Sequence, residues 1–418
     1  MAPAMPGFAS AQVRSRLTLE AKPSALAFGP AYPASPIWGL QGSPAPGMRF
    51  MRGGELDIAF QNELPIPAAL NWHGLDGVAA AEPLTARSPL TPGNKESISI
   101  PLRSAGTFLC DLRLLGDGQG RPLPARALIV TESEPVAVDR DELFLIEDWR
   151  LRPDGSVIAP GIDPKDSRPV YTVNGQITPD ISARIHERLR FRFINGCQRA
   201  VIGVRIEGHE VRIMALDSEP AEPFSARNGA IVLAPGGRAD AFIDVSASSG
   251  STFPIQLHDG REAWPVAHLV VASEPPLRQA VLPPAPPLPA NAPPPRVELK
   301  GALRFDVALE PSQADWTRPA NFVTSARPAF RVKAGRTVVL ALSNKGDAPA
   351  VFHLHGHHFR ILDRLDDGWK PFWLDTLAID SGQTQRIAFA ARHAGPWLME
   401  MMGTHWAAFR LVWWYSVE

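Results

Sequence analysis

Residues 330–344 read FRVKAGRTVVLALSN, and a similar pattern occurs twice more, as MRFMRGGELDIAFQN over residues 48–62 and as ARIHERLRFRFIN over residues 183–195. In each copy a charged or glycine-containing turn leads into an alternating, β-rich run, and alternation is the period of a β-strand. Each copy ends in asparagine. Three copies of one strand pattern in a single chain predict three repeats of one β-sandwich.

The composition limits both the fold and the function classes. The chain has 418 residues, of which 45% are hydrophobic and 20% charged, with a formal net charge of −1. This hydrophobic fraction argues against intrinsic disorder, and near-neutral charge argues against a nucleic-acid partner. No apolar run approaches the ~20 residues that cross a bilayer, so no membrane span is expected. The 43 prolines favour many short strands over long helices.

The repeats and the turn signals predict the domain limits. We expect one sandwich over residues 13–136, a second over 137–274 and a third over 297–418. The Pro-rich segment 275–296 should run between them as an extended, polyproline-type spacer. The only two cysteines, Cys110 and Cys197, fall in different predicted domains, so no disulfide framework is expected. Residues 1–12 have neither a charged n-region nor an apolar h-region, so no signal peptide is expected in this chain.

Short motifs along nearly the whole chain give it a family likeness. They are NWHGL at 71–75, GTFLCDLR at 106–113, DW at 148–149, VNG at 173–175, IEGH at 206–209, LAPG at 233–236, FHLHGHHFRIL at 352–362 and WLDT at 373–376, preceded by the turn at 38–46. In content and order they resemble the landmarks of the multicopper oxidases, the family of laccases and bilirubin oxidases. The resemblance implies an all-β fold of three cupredoxin-like, Greek-key sandwiches, with a copper cluster between the first and third domains.

The resemblance also implies a type-1 blue copper site in the third domain, held by one cysteine and two histidines. In this chain Ala350 stands at the first histidine position and Met401 at the cysteine position. Trp406 stands at the last histidine position, which His405 reaches if one residue is deleted. Without a thiolate ligand the electron-transfer role of a blue copper is lost. We therefore predict that the chain does not have four-copper laccase activity.

The trinuclear copper cluster of the family is held by eight histidines in four His-x-His pairs. Such pairs suit a strand, because residues i and i+2 face the same side. Here three of the eight histidines remain, and three positions hold oxygen donors instead. Arg113 stands at a further position, where its fixed charge would oppose a metal ion or pair with Asp111 or Glu400. The predicted metal ligands are His73, His353, His355, Asp111, Glu400 and Asn71.

Two functions remain open from the sequence. In the first, one metal ion binds at the remnant cluster, with reduced or altered oxidoreductase activity on a small-molecule substrate. The resemblance favours copper, and imidazole with carboxylate also suits zinc or iron. In the second, no metal binds, and the same side chains form a salt-bridged plug. The chain would then be a non-enzymatic scaffold for a periplasmic protein partner, similar in its lost ligands to the FtsP (SufI) cell-division protein. The resemblance implies a periplasmic location in both cases.

Other histidines are predicted to have structural roles. His357 shares strand parity with His353 and His355, but the corresponding family position is usually structural. His358 has the opposite parity and should face away from the cluster. His209 matches a family landmark that is not a ligand, so we expect it to pack.

Overall fold

The structure, a computed structural model, describes residues 13–30, 33–43, 48–292, 297–311, 315–363 and 368–418. In these residues almost all of the regular secondary structure is β-strand, with 3-10 turns at Ala79–Ala81, Arg113–Leu115, Arg227–Gly229 and Pro319–Asn321. The strands form six sheets that pair face to face as three sandwiches. The predicted terminal segment 1–12 and the end of the predicted linker, 293–296, lie outside the described residues.

The first sandwich packs a sheet of strand order β2-β1-β4-β6 on one of order β3-β8-β7-β5. Alternate side chains of both sheets, such as Leu56, Ile58 and Phe108, fill the space between them. The strands are β1 (Arg14–Leu26), β2 (Ser35–Ser43), β3 (Met48–Met51), β4 (Glu55–Asn62), β5 (Asn71–His73), β6 (Lys95–Pro101), β7 (Gly106–Asp111) and β8 (Arg126–Thr131).

The second sandwich packs a sheet of order β10-β9-β13-β18-β15-β16, with β11 also paired to β9, on a sheet of order β12-β20-β19-β14-β17. Its core includes the aromatic trio Phe144, Phe191 and Phe193. The strands are β9 (Arg140–Leu151), β10 (Val157–Ile158), β11 (Arg168–Val173), β12 (Asp180–Ala183), β13 (Arg188–Asn195), β14 (Ile202–Ile206), β15 (Arg212–Leu216), β16 (Glu219–Ser225), β17 (Ala230–Leu233), β18 (Arg238–Asp244), β19 (Thr252–His258) and β20 (Ala263–Val271).

The third sandwich packs a sheet of order β21-β23-β27-β25 on one of order β22-β29-β28-β24-β26. Phe352, Trp397 and Tyr415 lie in its core. The strands are β21 (Leu303–Ala308), β22 (Arg331–Val332), β23 (Thr337–Ser343), β24 (Ala350–Leu354), β25 (Arg360–Ile361), β26 (Thr376–Ile379), β27 (Thr384–Ala390), β28 (Gly395–Gly403) and β29 (Arg410–Val417).

The repeat asparagines, Asn62, Asn195 and Asn344, have the same structural role in each sandwich. Each is buried, and each side-chain oxygen accepts a hydrogen bond from the backbone N–H two residues later, at 2.9–3.0 Å. Each side-chain nitrogen donates to two backbone carbonyls, one four or five residues later and one on a distant strand or loop. A buried amide that satisfies three backbone groups fixes the turn after the strand, which explains why the sequence pattern ends in asparagine.

The prediction of three cupredoxin-like sandwiches is confirmed. No described strand crosses residue 136 or the segment 275–292, although the domain limits themselves remain a prediction. The described part of the Pro-rich segment is more than a spacer, because Ala285 and Leu288 pack on Met214 and Phe242 of the second sandwich. Asn291 also exchanges hydrogen bonds with the backbone of Ala105 in the first sandwich, at 2.7 and 2.9 Å. Among the described residues, no helix has the length and apolar character needed to span a bilayer.

Candidate metal centre

Two equivalent strand pairs, one in the first sandwich and one in the third, bring the predicted ligands together. Asn71 follows the repeat asparagine of its sandwich by the same nine-residue step as His353 does (62 to 71 and 344 to 353). In the β5–β7 pair Asn71 faces Asp111, and in the β24–β28 pair His353 faces Glu400. Asn71 donates a 2.7 Å hydrogen bond to Glu400 Oε1 across the interface between the two sandwiches. The local repeat therefore places both halves of the site.

His73, His353 and Glu400 form the candidate metal centre. One ligand atom from each of the three side chains lies within 4.8 Å of the other two. The rings of His73 and His353 are in contact, with centroids 4.2 Å apart and their planes tilted by 31°. All three side chains are at most 4% exposed. Two imidazoles and one carboxylate at this separation can surround a single small cation.

His353 is oriented as a histidine ligand usually is. Its Nδ1 donates to the backbone carbonyl of Asp375 at 3.1 Å and lies 3.0 Å from Thr376 Oγ1. Because a carbonyl only accepts, Nδ1 carries the proton and the Nε2 lone pair is free, and Nε2 has no hydrogen-bond partner. Burial, and then the neighbouring His73 and His355, hold the pKa of His353 well below its ordinary value. The neutral ring thus presents a ligand nitrogen to the centre.

His73 faces the same space from the first sandwich. Neither of its ring nitrogens has a hydrogen-bond partner, although Nε2 lies 3.6 Å from Asp111 Oδ2. Asn71 Oδ1 is likewise buried without a partner. Gly236, at φ +90°, brings the backbone of the second sandwich against the ring, and a Cβ there would lie 2.8 Å from His73 Nδ1. Only glycine fits this close approach.

His355, also predicted as a ligand, lies between two carboxylates. Its Nδ1 is 2.8 Å from Glu82 Oε1 and its Nε2 is 2.8 Å from Glu400 Oε1. Burial alone would lower the pKa of His355, but the charge of Glu82 and the hydrogen bonds with Glu400 and Glu82 outweigh it and raise the pKa to about 10. The ring is therefore a doubly protonated cation at neutral pH, with no lone pair facing the centre.

The predicted pairing of the Arg113 side chain with Asp111 or Glu400 is wrong, whereas the alternative, that its charge opposes a metal ion, stays a prediction. Its guanidinium pairs with Glu147 at 2.8 Å, away from the centre, and only its backbone N–H reaches Asp111, at 2.9 Å. The cation that pairs with Glu400 is Arg410, whose Nη1 contacts Glu400 Oε2. Sequence reasoning missed Arg410, although one arginine in an otherwise apolar strand is a signal that it has a buried partner.

Glu82 was also missed by sequence reasoning. It follows the Ala79–Ala81 turn in an otherwise apolar stretch, and its Oε1 accepts the backbone N–H of Leu398 at 3.0 Å. No periodic pattern in the sequence marks this residue as a site residue.

The region that corresponds to the blue copper site is apolar. Ala350 and Met401 are buried in the core of the third sandwich, with Met399 and Phe352. Met402, of opposite strand parity, packs on Val351 outside that core. His405 is exposed, so it does not fill the position of the last histidine. Trp406 is buried and donates from Nε1 to the Ala159 carbonyl at 3.0 Å.

The three histidines that were predicted to have structural roles make structural contacts. His357 lies 2.8 Å from the Tyr415 hydroxyl, and burial lowers its pKa to about 3. His358 faces away from the centre, where its Nδ1 lies 2.9 Å from Asp76 and its Nε2 donates to the Asp217 carbonyl at 2.6 Å. His209 packs its ring edge-on against Phe253, with centroids 4.7 Å apart.

A buried ion pair supports the centre from behind. Arg238 of the second sandwich makes a bidentate contact with Asp375 of the third at 2.8 and 2.7 Å. The Arg238 guanidinium holds the pKa of Asp375 far below its ordinary value, against the effect of burial. Asp217 accepts the backbone N–H groups of Asp375 and Thr376. Together these contacts hold Asp375 in place, and with it the backbone carbonyl that orients His353.

Comparison with known proteins relates the chain to the multicopper oxidases. The sequence profile of the multicopper oxidase family matches residues 136–270 and 296–406. Two fungal proteins of Thanatephorus cucumeris, Laccase-1 and Laccase-3, are each 24% identical to the chain, over 220 and 242 residues. The matched regions span 44% and 49% of this chain, but only 36% and 40% of the length of these relatives.

The fold has solved counterparts. A multicopper oxidase from Pseudomonas thermotolerans superposes with a TM-score of 0.82 at 24% identity, covering 97% of this chain and 100% of that one. Lac15, from a marine microbial metagenome, superposes with a TM-score of 0.77 at 26% identity, covering 96% and 100%. These likenesses, together with family matches over more than half of the sequence, show that the chain belongs to the multicopper oxidase family.

Proposed function

We propose that this protein binds a single metal ion, copper by its family, through His73, His353 and Glu400. In this proposal the chain has reduced or altered oxidoreductase activity and does not carry out four-copper oxygen reduction. A bound copper ion would supply one-electron redox chemistry or Lewis acidity. The protein would hold two neutral imidazoles and one ionised carboxylate toward it.

The unpartnered imidazole nitrogens are the observation that carries this proposal. His73 Nδ1, His73 Nε2 and His353 Nε2 are buried without a hydrogen-bond partner, and one nitrogen of each ring lies within 4.8 Å of the other and of a Glu400 oxygen. An unsatisfied buried polar atom destabilises the fold by about 1–3 kcal/mol. Three such atoms on two neighbouring rings are therefore strongly destabilising when no ligand is bound. A cation would accept the lone pair of His353 Nε2 and that of one His73 nitrogen, and so would remove most of this destabilisation.

The charge of the surrounding side chains also fits one cation. The centre has more carboxylates than protein cations beside them. The cations are His355 and Arg410, and the carboxylates are Glu82, Asp111 and Glu400. One negative charge is left over in a buried place, where an uncompensated charge is costly. Because His355 is one of these cations and has no free lone pair, we leave it out of the proposed ligand set. Its proposed role is to keep Glu400 ionised.

The proposal also holds that no blue copper site forms. The apolar packing of Ala350 and Met401, and the exposure of His405, support it. Neither a thiolate nor a pair of imidazoles is available there, and both are needed for a blue site.

Metal analysis tests this proposal. The purified protein would be dialysed separately against Cu(I), Cu(II) and Zn(II), and bound metal measured by elemental analysis with a visible spectrum. We expect one ion per chain and no intense blue band. The double variant His73→Ala/His353→Ala should lose at least nine-tenths of the bound metal, because loss of two ligands removes most of the affinity. His209→Ala, which removes a packing histidine, should bind as the parent does. Equal metal content in the double variant and the parent would contradict the proposal.

One observation favours a second candidate, a periplasmic scaffold without metal. Both oxygens of Glu400 already have protein partners, Oε1 with Asn71 and His355 and Oε2 with Arg410. A closed polar network of this kind can stabilise a domain interface by itself. The metal analysis separates the candidates, since a scaffold would bind no stoichiometric ion. The periplasmic location belongs to the proposal and rests on the family alone.

A further inference from the structure

Arg410 contacts Glu400, the carboxylate of the candidate metal centre. A guanidinium does not lose its proton in a protein, so among the described residues Arg410 is the one permanent cation in direct contact with that carboxylate. It begins β29, in register with Met402 of β28, so it extends from the same face of the sheet as Glu400. The residue is 4% exposed. Its Nη1 contacts Glu400 Oε2, and its backbone N–H donates to Asp117 at 2.5 Å.

The influence of this guanidinium extends past Glu400. Against the effect of burial, Arg410 is the first cause that holds the pKa of Glu400 well below its ordinary value. The charge of Arg410 also helps to lower the pKa of Asp111, after His73 and Arg113. Arg410 Nε has no hydrogen-bond partner. Its ionic contact with Glu400 therefore holds the guanidinium in place, and its charge also acts on Asp111, as the charge of a metal ion at this position would.

We infer that Arg410 takes the place of a second metal ion beside Glu400 and Asp111 and so limits the centre to one ion. This inference rests on the proposed one-ion function. A fixed positive charge repels any divalent cation placed within a few ångströms of it, and the repulsion is strong in a buried place. Arg410 is thus a determinant of metal stoichiometry rather than a ligand.

Removal of this charge should open the second position. Without Arg410, Glu400 would keep only His355 as a counter-charge, and Asp111 would lose part of the positive charge that faces it. The centre would then hold more uncompensated negative charge, which is costly in a buried place. Asn71 Oδ1 is a third oxygen nearby that has no partner. Oxygen donors of this kind bind divalent cations such as Zn(II), Mn(II) or Cu(II).

The test compares bound Zn(II) and Cu(II) in four proteins by equilibrium dialysis and elemental analysis. Arg410→Leu removes the charge without adding a ligand, whereas Arg410→Lys keeps it. Arg190→Leu is the matched control, because it removes another buried guanidinium, one in the second sandwich that pairs with Glu132 and Asp240. We expect two ions per chain in Arg410→Leu and one in the parent, Arg410→Lys and Arg190→Leu. If Arg410→Leu does not fold, Arg410→Gln replaces it as the neutral variant.

The outcomes separate this inference from the function on which it rests. One ion in the parent and one in the neutral Arg410 variant would overturn the role of Arg410 and leave the one-ion centre intact. No ion in the parent but one or more in that variant would overturn the proposed function and support Arg410 as the group that excludes metal. No ion in either protein would overturn both. A second ion in Arg190→Leu as well would show a general effect of charge removal and would also overturn the inference.

Discussion

At the scale of single residues, two histidines at the end of β24 have different charge states because their neighbours differ. His353 and His355 are both buried, and burial alone favours the neutral form of each. His353 donates to a carbonyl and faces another imidazole, so it stays neutral. His355 lies between Glu82 and Glu400, so it is a cation. One ring can therefore give a lone pair to a metal, and the other can hold the carboxylate in place.

The stability of this arrangement can be tested at Glu82. Glu82→Gln keeps the oxygen that accepts the Leu398 N–H but removes the charge that faces His355. We expect the free energy of unfolding at pH 7 to fall by about 2 kcal/mol, the size of a charge-assisted hydrogen bond. Denaturant unfolding measures it. Glu55→Gln, at the exposed pair with Arg14, should cost less than about 1 kcal/mol. Equal losses in the two variants would contradict the role of Glu82.

Much of the candidate metal centre can be predicted from the sequence, but its electrostatics cannot. His73, His353 and Glu400 fall at motif positions, so their proximity follows from the resemblance. The direction of an arginine side chain depends on distant strands that the motif does not contain. Arg113 turns to Glu147, and Arg410, ten residues beyond Glu400, reaches it across β28 and β29.

At the scale of strands and turns, the repeat asparagines explain why the site has two matching halves. Each fixes the turn after its strand, and an equal step then leads to β5 in one sandwich and β24 in the other. The strand pattern and its asparagine could be predicted from the sequence alone. The pairing across sandwiches could not, because it depends on contacts such as Asn71 to Glu400 that are far apart in the chain.

The turn after β24 depends on a glycine, Gly356, that packs closely against a tryptophan ring. Gly356 has φ +74°, and a Cβ there would lie 2.3 Å from the Trp397 ring. Gly382 has nearly the same angle, φ +73°, with no atom within 4 Å of its Cβ position. Gly382→Ala should cost about 1 kcal/mol for the backbone conformation alone, and Gly356→Ala should cost about 3 kcal/mol because overpacking is added. Thermal or denaturant unfolding of both variants compares the losses, and equal values would refute the steric argument.

At the scale of the whole molecule, charged side chains join the three sandwiches around His358. The ring pairs with Asp76 of the first sandwich, donates to the Asp217 carbonyl of the second and belongs to the third. Asp375 lies 3.9 Å away, and Glu219 adds a further negative charge. Burial alone would lower the pKa of His358, but the charge and hydrogen bond of Asp76, and then the charge of Asp375, raise it to about 10. The junction therefore depends on a protonated histidine.

The pH dependence of stability follows from this shift. The folded pKa of about 10 lies above the ordinary value of 6.5, so the His358 contribution is complete below about pH 6.5 and is lost as the pH rises toward 10. His358→Gln should be about 2 kcal/mol less stable than the parent at pH 6, and the difference should shrink toward zero by pH 10. Because His355 titrates in both proteins, the difference isolates His358. A difference that stays constant from pH 6 to pH 10 would contradict the account.

The most direct test of the central claim is anomalous diffraction at the copper edge from crystals of the copper-loaded protein. The account predicts one anomalous peak per chain, about 2 Å from a ring nitrogen of His73, from His353 Nε2 and from a Glu400 oxygen. A full cluster of three peaks, a peak in the core beside Met401, or no peak near these residues would contradict it.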